Sequence, residues 1–168
     1  ISAIKLQESN FVNNLLLLLS DYPEVRTSDF IFEILETSAL EDMNRVSYIM
    51  KECNKIGIDF SLDDFGTGYC SLEYLLKYPC DYLKIERAFI HNIHLNKKNY
   101  SVVDNIIKLG HSLGTYIIAE GVENKEELKV LKKLKCDVIQ GYYYCKPVPF
   151  KDFVAYCQTQ GIARLIDY

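Results

Sequence analysis

Short apolar segments alternate with longer amphipathic ones along this chain, and no other feature constrains its fold as strongly. Residues 30–35 (FIFEIL) and 58–62 (IDFSL) are rich in branched and aromatic side chains, the composition of strands. Residues 81–85, 115–119, 138–140 and 142–144 read the same way. Between them lie helical segments. One runs from Ser38, a cap candidate, to about Asn54, with Met43, Val46, Ile49 and Met50 on one face. Others are expected over 71–78 (stopped by Pro79), from about Arg87, over 101–113 (closed by Gly114), over 124–134 and over 151–160. Asn124 and Glu127 have the spacing of a capping box. Repeated strand–helix units give a parallel sheet covered by helices.

A doubly wound sheet and a (β/α)8 barrel both satisfy that pattern, and the polar residues discriminate between them. Glu33, the pair Asp63 and Asp64, Lys84, Glu120 and Gln140 stand at or near the C-terminal ends of different strands. In a barrel those ends converge on one face, where active sites lie. An open sheet spreads them over too wide a line to focus on one ligand. The reading is therefore α/β, a TIM-like (β/α)8 barrel. A complete barrel takes about 250 residues, whereas this chain has 168 and opens on Ile1. The expectation is one domain over residues 1–168, with the first strand or two missing from the N-terminal side.

Charge narrows the chemistry. A net charge of −4 provides no broad basic field, so no DNA binding is expected. A small anionic ligand remains compatible, because bound metals or a few cations reverse a local field. Gathering Glu33, Asp63, Asp64 and Glu120 on one concave face costs several kcal/mol per uncompensated ion, roughly, and Lys84 alone does not balance them. Divalent metals do. All-oxygen ligation favours Mg²⁺ or Mn²⁺ over zinc, and adjacent carboxylates such as Asp63 and Asp64 suit two ions. Taken singly, an acid at a strand end is more often a helix cap or a solvated loop residue. Their coincidence at successive strand ends speaks for a site.

Other candidate ligands are weaker. The six cysteines, at 53, 70, 80, 136, 145 and 157, include no C-x-x-C pair and read as free thiols serving as small core hydrophobes. That suits a reducing, cytoplasmic setting. His91 and His94 read as a solvated helix face, and His111 as a helix C-terminal residue complementing the dipole. The longest apolar run, residues 15–19, is far too short to span a membrane; a longer parent protein could still be membrane-anchored.

Asp63-Asp64-Phe65-Gly66-Thr67-Gly68, followed by Ser71-Leu72 and Tyr74-Leu75, resembles the signature and loop 6 of the EAL domain family. Leu83-Lys84-Ile85-Glu86-Arg87 is similar to its L-K-I-D-R segment, with Glu86 for the usual aspartate. Ala119-Glu120-Gly121-Val122-Glu123 matches A-E-G-V-E, and Gln140-Gly141-Tyr142 with Lys146-Pro147 matches Q-G-Y…K-P. Phe32 to Thr37 resembles the E-x-T-E-S strand, with Leu35 in place of threonine, and Ser2-Ala3 with Leu6-Gln7 resembles the segment after strand two. The resemblance implies hydrolysis of cyclic di-GMP to linear pGpG, dependent on two Mg²⁺ or Mn²⁺ ions. It implies Glu33 and Asp63 on one metal, and Asp63, Asp64 and Glu120 on the second. Lys84 positions the attacking water, Glu120 is either ligand or general base, and Asp64 belongs to the catalytic set. Glu123 braces the loop over 64–71, Gln140 supports the site and Pro147 faces a guanine. The implied partners are cyclic di-GMP, a second copy meeting through the loop-6 region, and GGDEF or sensor domains in a parent protein.

The family's E-A-L glutamate and N-x-S asparagine would fall before Ile1. The expectation is that this chain alone hydrolyses cyclic di-GMP weakly or not at all. The alternative is a catalytically degenerate EAL module that binds cyclic di-GMP, or a protein partner, as a sensor. Retention of Glu33, Asp63, Asp64, Lys84 and Glu120 argues against it.

Overall fold

Strand alternation sorts the sheet into an apolar face and a polar one. The computed structural model describes residues 1–8, 10–35, 43–66 and 72–160. Two short N-terminal helices, α1 (Ala3–Leu6) and α2 (Phe11–Ser20), precede β1 (Ile31–Leu35). Then follow α3 (Met43–Lys55), β2 (Asp59–Phe65), α4 (Leu72–Lys77), β3 (Tyr82–Ile85), α5 (Arg87–Ile90), α6 (Lys97–Ser112), β4 (Tyr116–Ala119), α7 (Lys125–Lys133), β5 (Val138–Ile139) and α8 (Phe150–Thr159). The strands are parallel and lie side by side in chain order, β1-β2-β3-β4-β5.

Ile34, Phe60, Leu62, Leu83, Ile85, Ile117 and Ala119 share one parity and are buried. Those of β2 to β4 pack with Val103, Ile106 and Ile107 of α6 and Leu128 and Leu131 of α7. Those of β1 and the start of β2 pack with Val46, Ile49, Met50 and Cys53 of α3, and with Leu6 and Phe11. Burying each such side chain stabilises the fold by roughly 1.5–3 kcal/mol before entropy is counted. Both cores thus lie against the same face of the sheet. Gly110 sets the closest approach, since a Cβ there would lie 2.2 Å from Ile117 Cδ1, so α6 rests almost directly on β4.

The opposite parity carries Glu33, Ser61, Asp63, Tyr82, Lys84, Tyr116 and Ile118. Helices on one face, and strand order without a reversal, are the arrangement of a (β/α)8 barrel wall; a doubly wound sheet needs both faces covered and a switch in order. Among the described residues the five strands form an open arc of such a barrel.

Several local expectations change. Residues 142–144 are a turn, not a strand: past Gly141 the chain folds back, with Tyr143 N–H donating to Val122 O (2.9 Å) and Tyr144 N–H to Gly141 O (3.1 Å). β2 runs on to Phe65, so Asp63 and Asp64 lie within the strand. Helix α6 starts four residues before position 101, because the Asn96 side chain caps it by accepting from Lys98 N–H (3.0 Å) and Asn99 N–H (3.2 Å). His91 and His94 follow α5 in a turn rather than on a helix. Helix α2 was not anticipated. Ser38 and Ser71 lie outside the described residues.

Candidate active site

Successive residues of a strand normally point to opposite faces, yet Asp63 and Asp64 serve one site. Between Leu62 and Phe65 the pairing of β2 with β3 shifts register, and Asp64 takes φ 57°, a left-handed conformation that costs a non-glycine residue about 1–2 kcal/mol. Together they turn Asp64 back beside its neighbour. Asp64 N–H donates to Asp63 Oδ1 at 3.0 Å, holding the pair in register. One carboxylate oxygen from each of Asp63, Asp64 and Glu120 then falls within 4.8 Å of the others. An irregularity placed where function needs a side chain re-aimed is the usual role of a bulge.

Lys84 projects from the middle of β3 into this group. Its ammonium lies 2.8 Å from Glu33 Oε1, 3.0 Å from Asp63 Oδ1 and 2.8 Å from Glu120 Oε1, while its side chain is only 5% exposed. Burial pushes a lysine pKa down. Here the hydrogen bonds from Glu120, Glu33 and Asp63 outweigh it and hold the ammonium above its usual range. Lys84 is thus a fixed cation and donor rather than a base. Glu33 stands on the other side of Lys84, half-exposed, bonded to the ammonium and outside the three-carboxylate group. Glu33, Asp63 and Glu120 share that one ammonium, which cannot neutralise three carboxylates. This all-oxygen donor set fits hard divalent cations.

The next ring of residues comes from the β4 and β5 exits. Glu120 leads into Gly121, whose φ is +68° and whose absent Cβ would meet Arg87 Cγ at 2.3 Å. Arg87 therefore lies flat over the glycine, and its Nη2 reaches Glu123 Oε1 at 2.7 Å. Arg87, Glu120, Glu123, Gln140 and Tyr142 line a cavity of about 250 Å³. A second cavity of about 340 Å³ shares Gln140 and Tyr142 and adds Lys146, Pro147 and Phe153. The Lys146 ammonium sits 5.7 Å from the centre of the Tyr142 ring.

The residues proposed from sequence thus meet in part. Glu33, Asp63, Asp64, Lys84 and Glu120 form one cluster. Gln140 borders it through the shared cavity, and Pro147 lies one cavity further out. Glu123 pairs with Arg87; of the loop over 64–71 that it was expected to brace, residues 67–71 lie outside the described residues. Sequence reasoning missed Arg87, although that residue closes the Leu83–Arg87 motif.

A model of the EAL domain matches residues 1–147. The chain belongs to the EAL domain family. Over 133 residues, or 79% of its length, it is 36% identical to the cyclic di-GMP phosphodiesterase PdeB of Shewanella oneidensis, covering 16% of that protein. Solved EAL structures superpose closely. The EAL enzyme Bd1971, in its cAMP- and cyclic-di-GMP-bound form, matches 92% of this chain with a TM-score of 0.85 and 35% identity, over 41% of its own length. The manganese and cyclic-di-GMP complex of Klebsiella pneumoniae BlrP1 matches 83% of the chain with a TM-score of 0.74 and 25% identity, over 36% of its own length. The EAL chain spans about a sixth of the length of curated relatives such as PdeB.

Proposed function

We propose that this EAL domain hydrolyses cyclic di-GMP to linear pGpG at a two-metal site. The observation carrying that reading is the Lys84 hub: three carboxylates share one buried ammonium while Asp63, Asp64 and Glu120 converge within 4.8 Å. The names of its relatives, phosphodiesterases and complexes with cyclic di-GMP, point to the same substrate. Asp63, Asp64 and Glu120, with Glu33 on the far side of Lys84, would hold the two Mg²⁺ or Mn²⁺ ions. Bound there, the ions neutralise charge on the phosphodiester and lower the pKa of water.

The protein's own groups do the rest. Lys84, kept cationic, donates to the attacking water and orients it in line with the scissile bond. Glu120 accepts its proton. Gln140 and Tyr142 border the cavity beside the nucleotide whose 3′-oxygen leaves phosphorus, takes up a proton from water and stays within pGpG, and Pro147 and Phe153 offer apolar walls to a guanine in the adjoining one. The compartment is cytoplasmic, in keeping with the free thiols of Cys53, Cys136, Cys145 and Cys157; among the described residues no helix is long and apolar enough to cross a membrane.

Calorimetric titration with Mn²⁺ tests the donor set. Binding to the wild-type chain, abolished in Asp63→Asn, is the expected result. Equal binding by both proteins would remove Asp63 from the site.

A further inference from the structure

Glu127 is a fully buried carboxylate, 0% exposed, that the mechanism above does not use. It occupies the third position of α7 and closes a capping box with Asn124, whose Oδ1 accepts Glu127 N–H at 2.9 Å. A helix cap needs no more than that. Yet Glu127 also reaches outside its own helix. Its Oε1 accepts Asn92 N–H at 2.9 Å, thirty-five positions away in sequence, and its Oε2 accepts Glu123 N–H at 2.9 Å and Asn124 N–H at 3.4 Å.

Those backbone groups belong to two segments that lead away from the site. Asn92 sits just past α5, in a left-handed conformation (φ 55°), and α5 begins with Arg87. Glu123 is the partner of Arg87, and Gly121, over which Arg87 lies, follows Glu120 directly. One carboxylate therefore fastens the end of the segment carrying Arg87 to the segment carrying Glu120 and Glu123. The His91 ring, with Nδ1 at 3.9 Å, is the only basic side chain within 4 Å of it among the described residues.

We propose that Glu127 is a positioning residue. By bonding the Asn92 and Glu123 amides at once, it fixes the β4 exit with Glu120 against the β3 exit with Lys84. The inference rests on the phosphodiesterase reading for its catalytic consequence, though not for the link itself.

Two substitutions separate positioning from helix capping. In Glu127→Gln an amide NH2 replaces one oxygen and faces an N–H donor, so the bridge between the two segments is cut while a cap acceptor remains. Asn124→Ala removes the other half of the capping box, costing about 1 kcal/mol, and leaves the Asn92 and Glu123 bonds in place. Amide exchange followed by NMR reads the link without any activity: Glu127→Gln speeds exchange at Asn92 or Glu123, and Asn124→Ala leaves both slow. Single-turnover cleavage of cyclic di-GMP, with protein in excess and Mn²⁺ present, reads the consequence. Glu127→Gln slows the rate about tenfold or more at an unchanged half-saturation concentration, and Asn124→Ala keeps the wild-type rate. Unchanged exchange at both amides in Glu127→Gln overturns the proposal. So does a wild-type rate in that variant, or an equal loss in both variants. A wild-type chain that neither binds nor cleaves cyclic di-GMP overturns the phosphodiesterase reading instead, while the exchange result still decides the link.

Discussion

At Lys84 a single ammonium serves three carboxylates, and its 5% exposure means that water does little to help. Removing it by Lys84→Met leaves Glu33, Asp63 and Glu120 facing one another and takes away the donor to the attacking water. Turnover is expected to fall about a hundredfold or more, and the melting temperature in metal-free buffer to fall as well. Lys84→Arg does not restore the rate, because a planar fork cannot reproduce three contacts around one nitrogen. Rapid-quench assays and thermal melts of both variants check this, and a near-normal rate in Lys84→Met would contradict it. The identity of these residues was legible in sequence, because charged side chains at the ends of apolar strands have few structural uses. Their mutual geometry was not. That Asp63 and Asp64 share a site depends on the register shift and on the left-handed backbone of Asp64, and neither leaves a mark in the residue pattern.

Among the elements, α7 carries the clearest pH signature. Burial would raise the Glu127 pKa, but the amides of Glu123, Asn92 and Asn124 outweigh burial and lower it from its ordinary 4.5. A depressed carboxylate pKa contributes stability above the unfolded value, and that contribution is lost as pH falls through the folded one. Urea midpoints of wild type and Glu127→Gln should therefore differ near pH 7 and converge well below 4.5; a gap that widens in acid would contradict the assignment. Gly121 makes a second test at this scale. Gly121→Ala forces a Cβ into Arg87 at a backbone φ of +68°, so it should destabilise by about 1–3 kcal/mol and lower turnover by parting Arg87 from Glu123. Helix periodicity and the Asn124–Glu127 spacing revealed α7 from sequence, whereas α2 escaped notice. Leu16, Leu17 and Leu18 form a continuous apolar run there, and all three are exposed, so no amphipathic stripe announces the helix. The turn at 142–144 misled for a related reason: three tyrosines have strand composition, yet the amides of Tyr143 and Tyr144 are held by the carbonyls of Val122 and Gly141.

For the whole molecule, the order β1 to β5 without reversal and the placement of both cores on one face fix the barrel-wall architecture. The parallel sheet followed from alternating segments, and the polar residues at the strand ends pointed to the barrel. The cores also shield thiols: burial pushes Cys53 and Cys136 up to about 11, so neither should react with iodoacetamide at neutral pH until the chain unfolds. Peptide mass spectrometry across a urea series would show this, and rapid native labelling of Cys53 would contradict it. At the flanks, β1 and β5 each pair on one side only among the described residues, with Ile31 and Val138 exposed. Such edges invite association, and light scattering should show mass rising with protein concentration, less so for Ile31→Lys; a monomer at every concentration would count against it.

The central claim is that the Lys84 hub and its carboxylates cleave cyclic di-GMP. The most direct test mixes excess protein with cyclic di-GMP and Mn²⁺ and follows the nucleotide by chromatography through one turnover. The expected result is slow conversion to linear pGpG that stops with chelator and in Asp63→Asn. Cyclic di-GMP that binds and is recovered intact, with or without Mn²⁺, would contradict it and make the domain a sensor.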